Sequence, residues 1–269
     1  MIPSRHQIVS SSLLLLLLLH SSASSVCGAE PRRPVSAVEY KVMLNPASFA
    51  KLKTLLPLST AKHKRQQIFF FDTRKQKLMK KGVVLRLRRT ERSDGSYKTK
   101  ATVKLRPRSA ESIPRTWFEE EGFKHEVDRV STREVGTASL AVKRKDKHAR
   151  RAMKGKKIKK LFSKKQRRLL KKEGAKLDWD SLKPHGPIVA EVWELRLEGI
   201  SKTPLTLQTW RFGDQEFLEI SIRDSRERMG EIQKKLDAWL GTHQIAPAPA
   251  QTTKTRSALQ FFGRQLDAQ

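Results

Sequence analysis

Basic side chains recur at every second position in two short segments of the chain. In GVVLRLRR, Arg86 and Arg88 alternate with valine and leucine, and in KTKATVKLR, Lys104 and Arg106 do the same. This alternation is typical of a half-buried β-strand with one apolar and one polar face. Guanidinium and ammonium groups along one strand face can neutralise phosphate oxygens. The alternative is an ordinary sheet whose charged face contacts bulk water.

Carboxylates occupy the same kind of position in other alternating segments, SAVEYKVML, GFKHEVD and FLEISIR. In each segment the charges lie opposite an apolar face that helices could cover. If such a sheet closes on itself, the charged faces line a lumen. Clustered carboxylates there would suit Mg²⁺ or Mn²⁺, which are hard cations that prefer oxygen ligands. The charged groups of these segments are Glu39 and Lys41, Glu126 and Asp128, and Glu219 and Arg223.

The composition of the 269-residue chain indicates an anionic partner. Its net charge of +30 far exceeds what solubility requires, which favours phosphate chains, nucleic acid or an acidic surface. The histidines have no metal-ligand spacing, and neither a Ser-His-Asp order nor a glycine-rich phosphate loop stands out. Binding or phosphate chemistry in a charged site is therefore favoured over nucleophilic catalysis by a serine or cysteine.

More than half of the charge excess lies in one segment. Residues 141–172 contain 17 lysines and arginines and one acid, Asp146, which gives a net charge of +16. Ser163 and Gln166 form a predicted capping box for a helix that Gly174 ends, so residues 141–174 are interpreted as a basic helical insertion. Residues 143–160 contain few apolar residues and are expected to form a solvated arm or a loose helix. Counter-ion release from nucleic acid or an anionic surface would favour binding to residues 141–172.

The remaining segments predict an α+β fold. About eight strands, mostly antiparallel, alternate with helices, and a closed or nearly closed antiparallel eight-stranded β-barrel with helices packed outside is expected. One helix follows Asn45 and Pro46, and another ends at Gly241. The predicted strands are 36–44, 66–72, 82–90, 98–106 and 122–128, followed by a three-strand meander after Pro187.

The two ends of the chain differ from its centre. Residues 1–29 have the pattern of a secretory signal peptide, with a leucine core and small residues up to Ala29, and they predict export to a periplasm or outside the cell. Cleavage after Ala23 and an uncleaved membrane anchor are the alternatives. Residues 30–241 are assigned to the barrel domain. Residues 242–269 are assigned to a linker and tail, which is expected to dock a short amphipathic turn through Leu259, Phe261 and Phe262.

The motifs resemble those of a known family. VEYKVML, FFFDTRKQKLMKKGVVLRLRR, ATVKLRP, KHEVD and FLEISI follow one another as in the CYTH domain, or triphosphate tunnel metalloenzyme, superfamily. The resemblance covers about residues 37–241 and is strongest to the longer branch, in which a basic helical segment interrupts the barrel. It implies an eight-stranded antiparallel tunnel that binds triphosphate compounds or polyphosphate together with a divalent metal.

The resemblance also implies roles for individual residues. Basic positions that bind phosphate are matched by Lys41, Arg86, Arg88, Lys104 and Arg106, and Arg223 is added because it shares a strand face with Glu219. Acidic positions that serve metal binding and catalysis are matched by Glu39, Glu126, Asp128 and Glu219. Two positions depart from the pattern, since Ala37 and Gln208 stand where acids are expected. Losing two carboxylates should weaken the affinity for Mg²⁺ or Mn²⁺.

Three functions remain open from the sequence. The first is metal-dependent hydrolysis of inorganic triphosphate or polyphosphate. The second is binding of the same compounds without catalysis, which Ala37 and Gln208 favour. The third is binding of nucleic acid or an anionic surface through residues 141–172.

Overall fold

The computed structural model describes Met1, residues 37–175 and residues 177–267. The predicted signal peptide, its cleavage site after Ala29 and the single cysteine, Cys27, lie outside the described residues. Within the described ranges, no helix has the length and apolar character needed to cross a membrane.

The strands form one closed barrel. In chain order they are β1 (Val38–Leu44), β2 (Lys62–Asp72), β3 (Val83–Glu91), β4 (Tyr97–Leu105), β5 (Phe123–Val130), β6 (Arg133–Arg144), β7 (Lys183–Leu195), β8 (Leu205–Phe212) and β9 (Gln215–Asp224). Around the barrel they run β1-β5-β6-β4-β3-β2-β7-β8-β9, and β9 returns to β1. The α+β class and the closed barrel are thus as predicted.

The expected eight antiparallel strands need correction, because nine strands are found in the described ranges and one pair is parallel. β1 lies between β9, to which it is antiparallel, and β5, to which it is parallel. The additional strand is β6, whose sequence REVGTASLAVKR contains Gly136 and small residues and then enters the basic segment. Its alternation is weak for that reason, and its pairing with β4 and β5 outweighs the local sequence preference.

Helices cover the apolar outer faces of the strands. The helices are α1 (Ser48–Leu55), α2 (Lys77–Lys80), α3 (Asp146–Met153), α4 (Ile158–Leu161), α5 (Lys164–Lys172), α6 (Arg226–Thr242) and α7 (Lys254–Asp267). α1 and α6 pack on β1, β8 and β9, with Leu52, Met229 and Leu236 fully buried. α2 to α5 share a second core with β2, β3, β4 and β6.

The basic insertion is packed and does not form the solvated arm or loose helix expected for residues 143–160. Ala149 and Ala152 of α3 are fully buried, and so is Leu161 of α4. Two alanines allow α3 to approach the barrel closely, so few apolar residues suffice to anchor it. The predicted capping box of α5 is present, and the amide of Gln166 also donates to the backbone carbonyls of Ala101 and Leu140, both at 2.9 Å. This buried side chain therefore joins the insertion to β4 and β6.

Part of the barrel interior is apolar and is covered by the C-terminal helix. Phe70 lies opposite Arg86 across β2 and β3 and shares its interior face. It packs with Trp210 and with Leu259 of α7. The predicted docking of the tail is found, but the docked element is a helix of 14 residues instead of a short turn.

Candidate functional site

The charged part of the interior is a cavity of about 310 Å³. Seven basic and four acidic side chains line it, so the cavity carries an excess of three positive charges. The basic residues are Lys41, Lys64, Arg86, Arg88, Lys104, Arg106 and Lys254, and the acidic ones are Glu39, Asp128, Glu194 and Glu219.

Strand alternation explains why these side chains point inward. In β3, Leu85 and Leu87 are almost fully buried in the core under the helices, so Arg86 and Arg88 between them face the lumen. In β1, Tyr40 packs with the helices outside the barrel, and Lys41 lines the cavity. Of the two interpretations that the sequence left open, the structure supports the inward one: the arginines of β3 line a partly open cavity inside the barrel.

Asp128 is the centre of the basic cluster. One carboxylate oxygen lies 2.9 Å from Lys41 Nζ, and the other lies 2.9 Å from both Lys104 Nζ and Arg106 Nη2. Burial works to raise the pKa of Asp128, but the three cations outweigh it and hold the pKa well below its usual range. The single negative charge of Asp128 thus positions three positive ones.

Glu39 reinforces this cluster from β1. Its Oε2 lies 2.9 Å from Lys41 Nζ. Burial opposes the charged form of Lys41, yet the carboxylates of Glu39 and Asp128 outweigh burial and raise the pKa of Lys41 above its usual value. Lys41 is therefore a permanent cation of the cavity.

Arg86 and Arg88 have no such partners. Their Nε atoms are buried without a hydrogen-bond acceptor, and no carboxylate within the described ranges forms an ion pair with either guanidinium. Burial, together with repulsion from Arg88 and Arg106, lowers the pKa of Arg86 to about 9. Burial also lowers the pKa of Arg88. Both guanidiniums stay charged at neutral pH. Glu39 and Glu126 favour the charged form of Arg86, and Glu39 favours that of Arg88, but they offset burial and repulsion only in part. An anion in the cavity would therefore stabilise both half-buried guanidiniums.

Burial and the surrounding cations also lower the pKa of Lys104. Burial, with repulsion from Arg106 and Lys41, lowers its pKa to about 8 despite its contact with Asp128. A bound anion would favour its charged form, so this ammonium group couples anion binding to pH near neutrality.

The structure also pairs two predicted site residues with each other. Glu126 and Arg223 form an ion pair with an Oε1–Nη1 distance of 2.8 Å, and neither residue lines the cavity. Arg223 lies beside Glu39 in the β1–β9 register, so the pair belongs to the same face of the sheet. The other predicted basic and acidic residues all line the cavity.

Sequence reasoning missed Lys64, Glu194 and Lys254. Lys64 and Glu194 form an ion pair across β2 and β7, and β2 begins four residues earlier than predicted. Both residues lie in segments, KHKRQQI and EVWEL, in which charged side chains recur at alternate positions, and this alternation could have indicated that they face the lumen. Lys254, by contrast, enters the cavity from the tail, and no strand pattern marks it.

The carboxylates do not fit Mg²⁺ or Mn²⁺ in this arrangement. Glu39, Asp128 and Glu219 each contact at least one ammonium group, so a metal ion would have to displace a protein cation. No group of three or more histidine, cysteine, aspartate or glutamate side chains in residues 37–175 and 177–267 is arranged to hold a metal. The role of Mg²⁺ or Mn²⁺ stays a prediction from the sequence.

Comparison with known proteins supports the class of fold. No family model matches the sequence, and no curated protein is significantly similar to it. Among solved structures, a candidate adenylyl cyclase from Hippeastrum, described as having a dominant triphosphatase activity, superimposes with a TM-score of 0.57 at 18% identity, over 83% of this chain and 95% of the other. A candidate adenylate cyclase from Bacillus halodurans gives 0.55 at 18% identity, over 82% and 96%.

The closed barrel with a charged lumen thus defines the fold class of the chain. The chain has the closed-barrel fold of these two solved structures, in agreement with the tunnel fold that the resemblance of its motifs implies. At this level of identity the likeness establishes the fold.

Proposed function

We propose that the cavity binds a triphosphate group, either of a small molecule or of an inorganic polyphosphate chain. The observation that carries this proposal is the pair of guanidiniums of Arg86 and Arg88, whose Nε atoms lack a hydrogen-bond acceptor and whose charge nearby carboxylates offset only in part. An arginine fork binds phosphate oxygens through two parallel hydrogen bonds, and burial strengthens such contacts. Lys41, Lys104 and Arg106, which Asp128 holds in position, supply further cations for a ligand with several negative charges.

A chain of linked phosphates suits the site better than a single phosphate. The register places Arg88 beside Lys100 of β4, and Lys100 beside Lys143 of β6. Burial and the repulsion of Lys98, Arg88, Lys124 and Lys143 lower the pKa of Lys100, so these groups lie close enough to act together. A row of cations therefore leads from the cavity towards the basic insertion, which favours polyphosphate as a ligand.

Hydrolysis of the bound phosphate chain is the second candidate. It is supported by the activity described for the protein from Hippeastrum and by the acidic residues Glu39, Asp128 and Glu219 in the cavity. In the arrangement seen here these carboxylates are paired with ammonium groups, so a metal would have to displace a protein cation before it could take part in hydrolysis. Glu126 would act on the site through Arg223.

A phosphate-release assay separates binding from hydrolysis. Tripolyphosphate is incubated with residues 30–269 in Mn²⁺, in Mg²⁺ or in EDTA, and its binding is measured in parallel by calorimetry. Binding without release supports a binding protein, and metal-dependent release supports a hydrolase. Absence of both binding and release would contradict the proposal.

A further inference from the structure

Lys254 enters the cavity because the tail is fixed to β1. The backbone N–H of Ala248 donates to the carbonyl of Met43 at 2.7 Å, and the side-chain amide of Gln251 bonds both the N–H and the carbonyl of Met43. α7 begins three residues later, at Lys254, and packs its apolar side on the barrel interior. The ammonium group is thus placed by a fixed backbone and not by a freely moving end.

Inside the cavity, Lys254 contacts two side chains of the meander. Its Nζ lies 3.0 Å from Glu219 Oε1 and 2.6 Å from Gln208 Oε1, and it lies 4.8 Å from the centre of the Trp210 ring. Only 7% of its side chain is exposed. Burial lowers the pKa of Lys254, while Glu219 favours its charged form.

We propose that Lys254 is a built-in counter-ion at Glu219 that takes the place of a divalent metal, so that the cavity binds a phosphate chain without metal. This inference rests on the proposed function. The charges match, since one carboxylate and one neutral amide balance a single ammonium, whereas two carboxylates would suit a divalent cation. Gln208 stands where an acid was expected, and it accepts a hydrogen bond from the ammonium that occupies the position.

The chemistry defines what Lys254 does to a ligand. An ammonium has three N–H groups, and Glu219 and Gln208 take two of them. The third remains available for a phosphate oxygen within the same cavity. Lys254 would therefore add one phosphate contact and keep Glu219 from repelling the ligand, which are two tasks that a bridging metal performs elsewhere.

Two measurements on the full chain test this proposal. The first is Mn²⁺ binding without any phosphate, followed by electron paramagnetic resonance. Native protein should bind Mn²⁺ at least about tenfold more weakly than Lys254→Gln/Gln208→Glu, which removes the ammonium and restores the second acid. Equal Mn²⁺ affinity of the two proteins would overturn the proposal.

The second measurement is tripolyphosphate binding in EDTA. Lys254→Gln should bind roughly tenfold more weakly than native protein, since one charge-assisted contact is lost. Lys254→Arg should retain binding, and Lys234→Met, which removes an exposed lysine of α6, should leave it unchanged. Native affinity in Lys254→Gln would contradict the inference. Lys254→Met serves as a second variant if Lys254→Gln does not fold.

The two measurements also separate this inference from the function on which it rests. Failure of native protein to bind tripolyphosphate would contradict the proposed function, while the Mn²⁺ comparison would still decide whether Lys254 stands in for a metal.

Discussion

Asp128 is the residue on which the arrangement of the basic side chains depends. Its two oxygens hold Lys41, Lys104 and Arg106 at 2.9 Å each. The sequence predicts metal binding or catalysis for Asp128, which stays a prediction, and the structure shows that its carboxylate positions three cations. That role could not be read from the sequence, because the three partners come from β1, from β4 and from the residue that follows β4, and only the closed barrel brings them to one carboxylate.

Replacing Asp128 by asparagine should strongly destabilise the protein. The three cations would then repel one another without a counter-charge, and breaking a buried charge cluster costs about 3–5 kcal/mol of unfolding free energy. Urea denaturation measures this loss. Added tripolyphosphate should raise the unfolding midpoint of Asp128→Asn more than that of native protein, because it supplies the missing negative charge. Unchanged stability would contradict the role assigned to Asp128.

Lys104 should make tripolyphosphate binding depend on pH. Its pKa in the free protein is about 8, and a bound anion raises it. Below about pH 8 the ammonium is already charged, and above it binding must take up a proton, so the affinity falls by up to about tenfold per pH unit. Lys104→Arg stays charged and should lose this fall. Calorimetry at about pH 7 and about pH 9 measures the affinity of both proteins for tripolyphosphate. Because protonation of the ligand affects both proteins equally, the difference between them reports on Lys104. If the affinities of the two proteins for tripolyphosphate fall equally between the two pH values, Lys104 is not the group that links binding to pH.

At the scale of elements, alternation and caps predicted most of the fold. β1, β3, β4 and β5 begin and end within two residues of the predicted bounds. β6 was missed because Gly136 and its small neighbours weaken the pattern. The packed state of α3 was missed because two alanines anchor a helix whose other residues are mostly charged. In both cases tertiary contacts override a weak local signal.

The contact between α5 and the barrel gives a prediction at this scale. Gln166 is fully buried and donates to the carbonyls of Ala101 and Leu140. Gln166→Leu leaves both carbonyls without this donor and should lower the unfolding free energy by about 1–3 kcal/mol. Thermal denaturation measures the change, and Arg168→Leu, on the exposed side of α5, is the control. Equal effects of the two substitutions would show that the bridge contributes nothing.

At the scale of the whole molecule, the positive charge is divided between the cavity of the barrel and the exposed side chains of the packed basic insertion. The barrel class and most cavity residues were accessible from strand alternation and from the family motifs. Lys254 was not, because it reaches the cavity through the docking of a tail that carries no strand pattern. Export after cleavage near Ala29 stays a prediction, which mass spectrometry of the exported protein can check.

The cavity and the basic insertion should contribute differently to the binding of short and long phosphate chains. Replacing four exposed lysines of the insertion by glutamine should weaken binding of long polyphosphate and reduce its salt dependence, because fewer counter-ions are exchanged. Tripolyphosphate, which is proposed to bind within the cavity alone, should bind these variants as it binds native protein. Fluorescence titrations at several salt concentrations measure both. Equal loss for both ligands would mean that the insertion acts on the cavity itself. The four positions are Lys147, Lys154, Lys156 and Lys159.

The central claim is that Arg86 and Arg88, which line the cavity without an ion-pair partner, bind the phosphate chain. Calorimetric titration of Arg86→Met with tripolyphosphate, alongside unfolding of the same variant, tests it most directly, with Arg92→Met in the exposed β3–β4 turn as the control. The affinity should fall by about 10- to 100-fold, since a charge-assisted contact is worth about 1.5–3 kcal/mol, and the stability should stay equal or rise. Native affinity in Arg86→Met, or loss of stability without loss of binding, would contradict the claim.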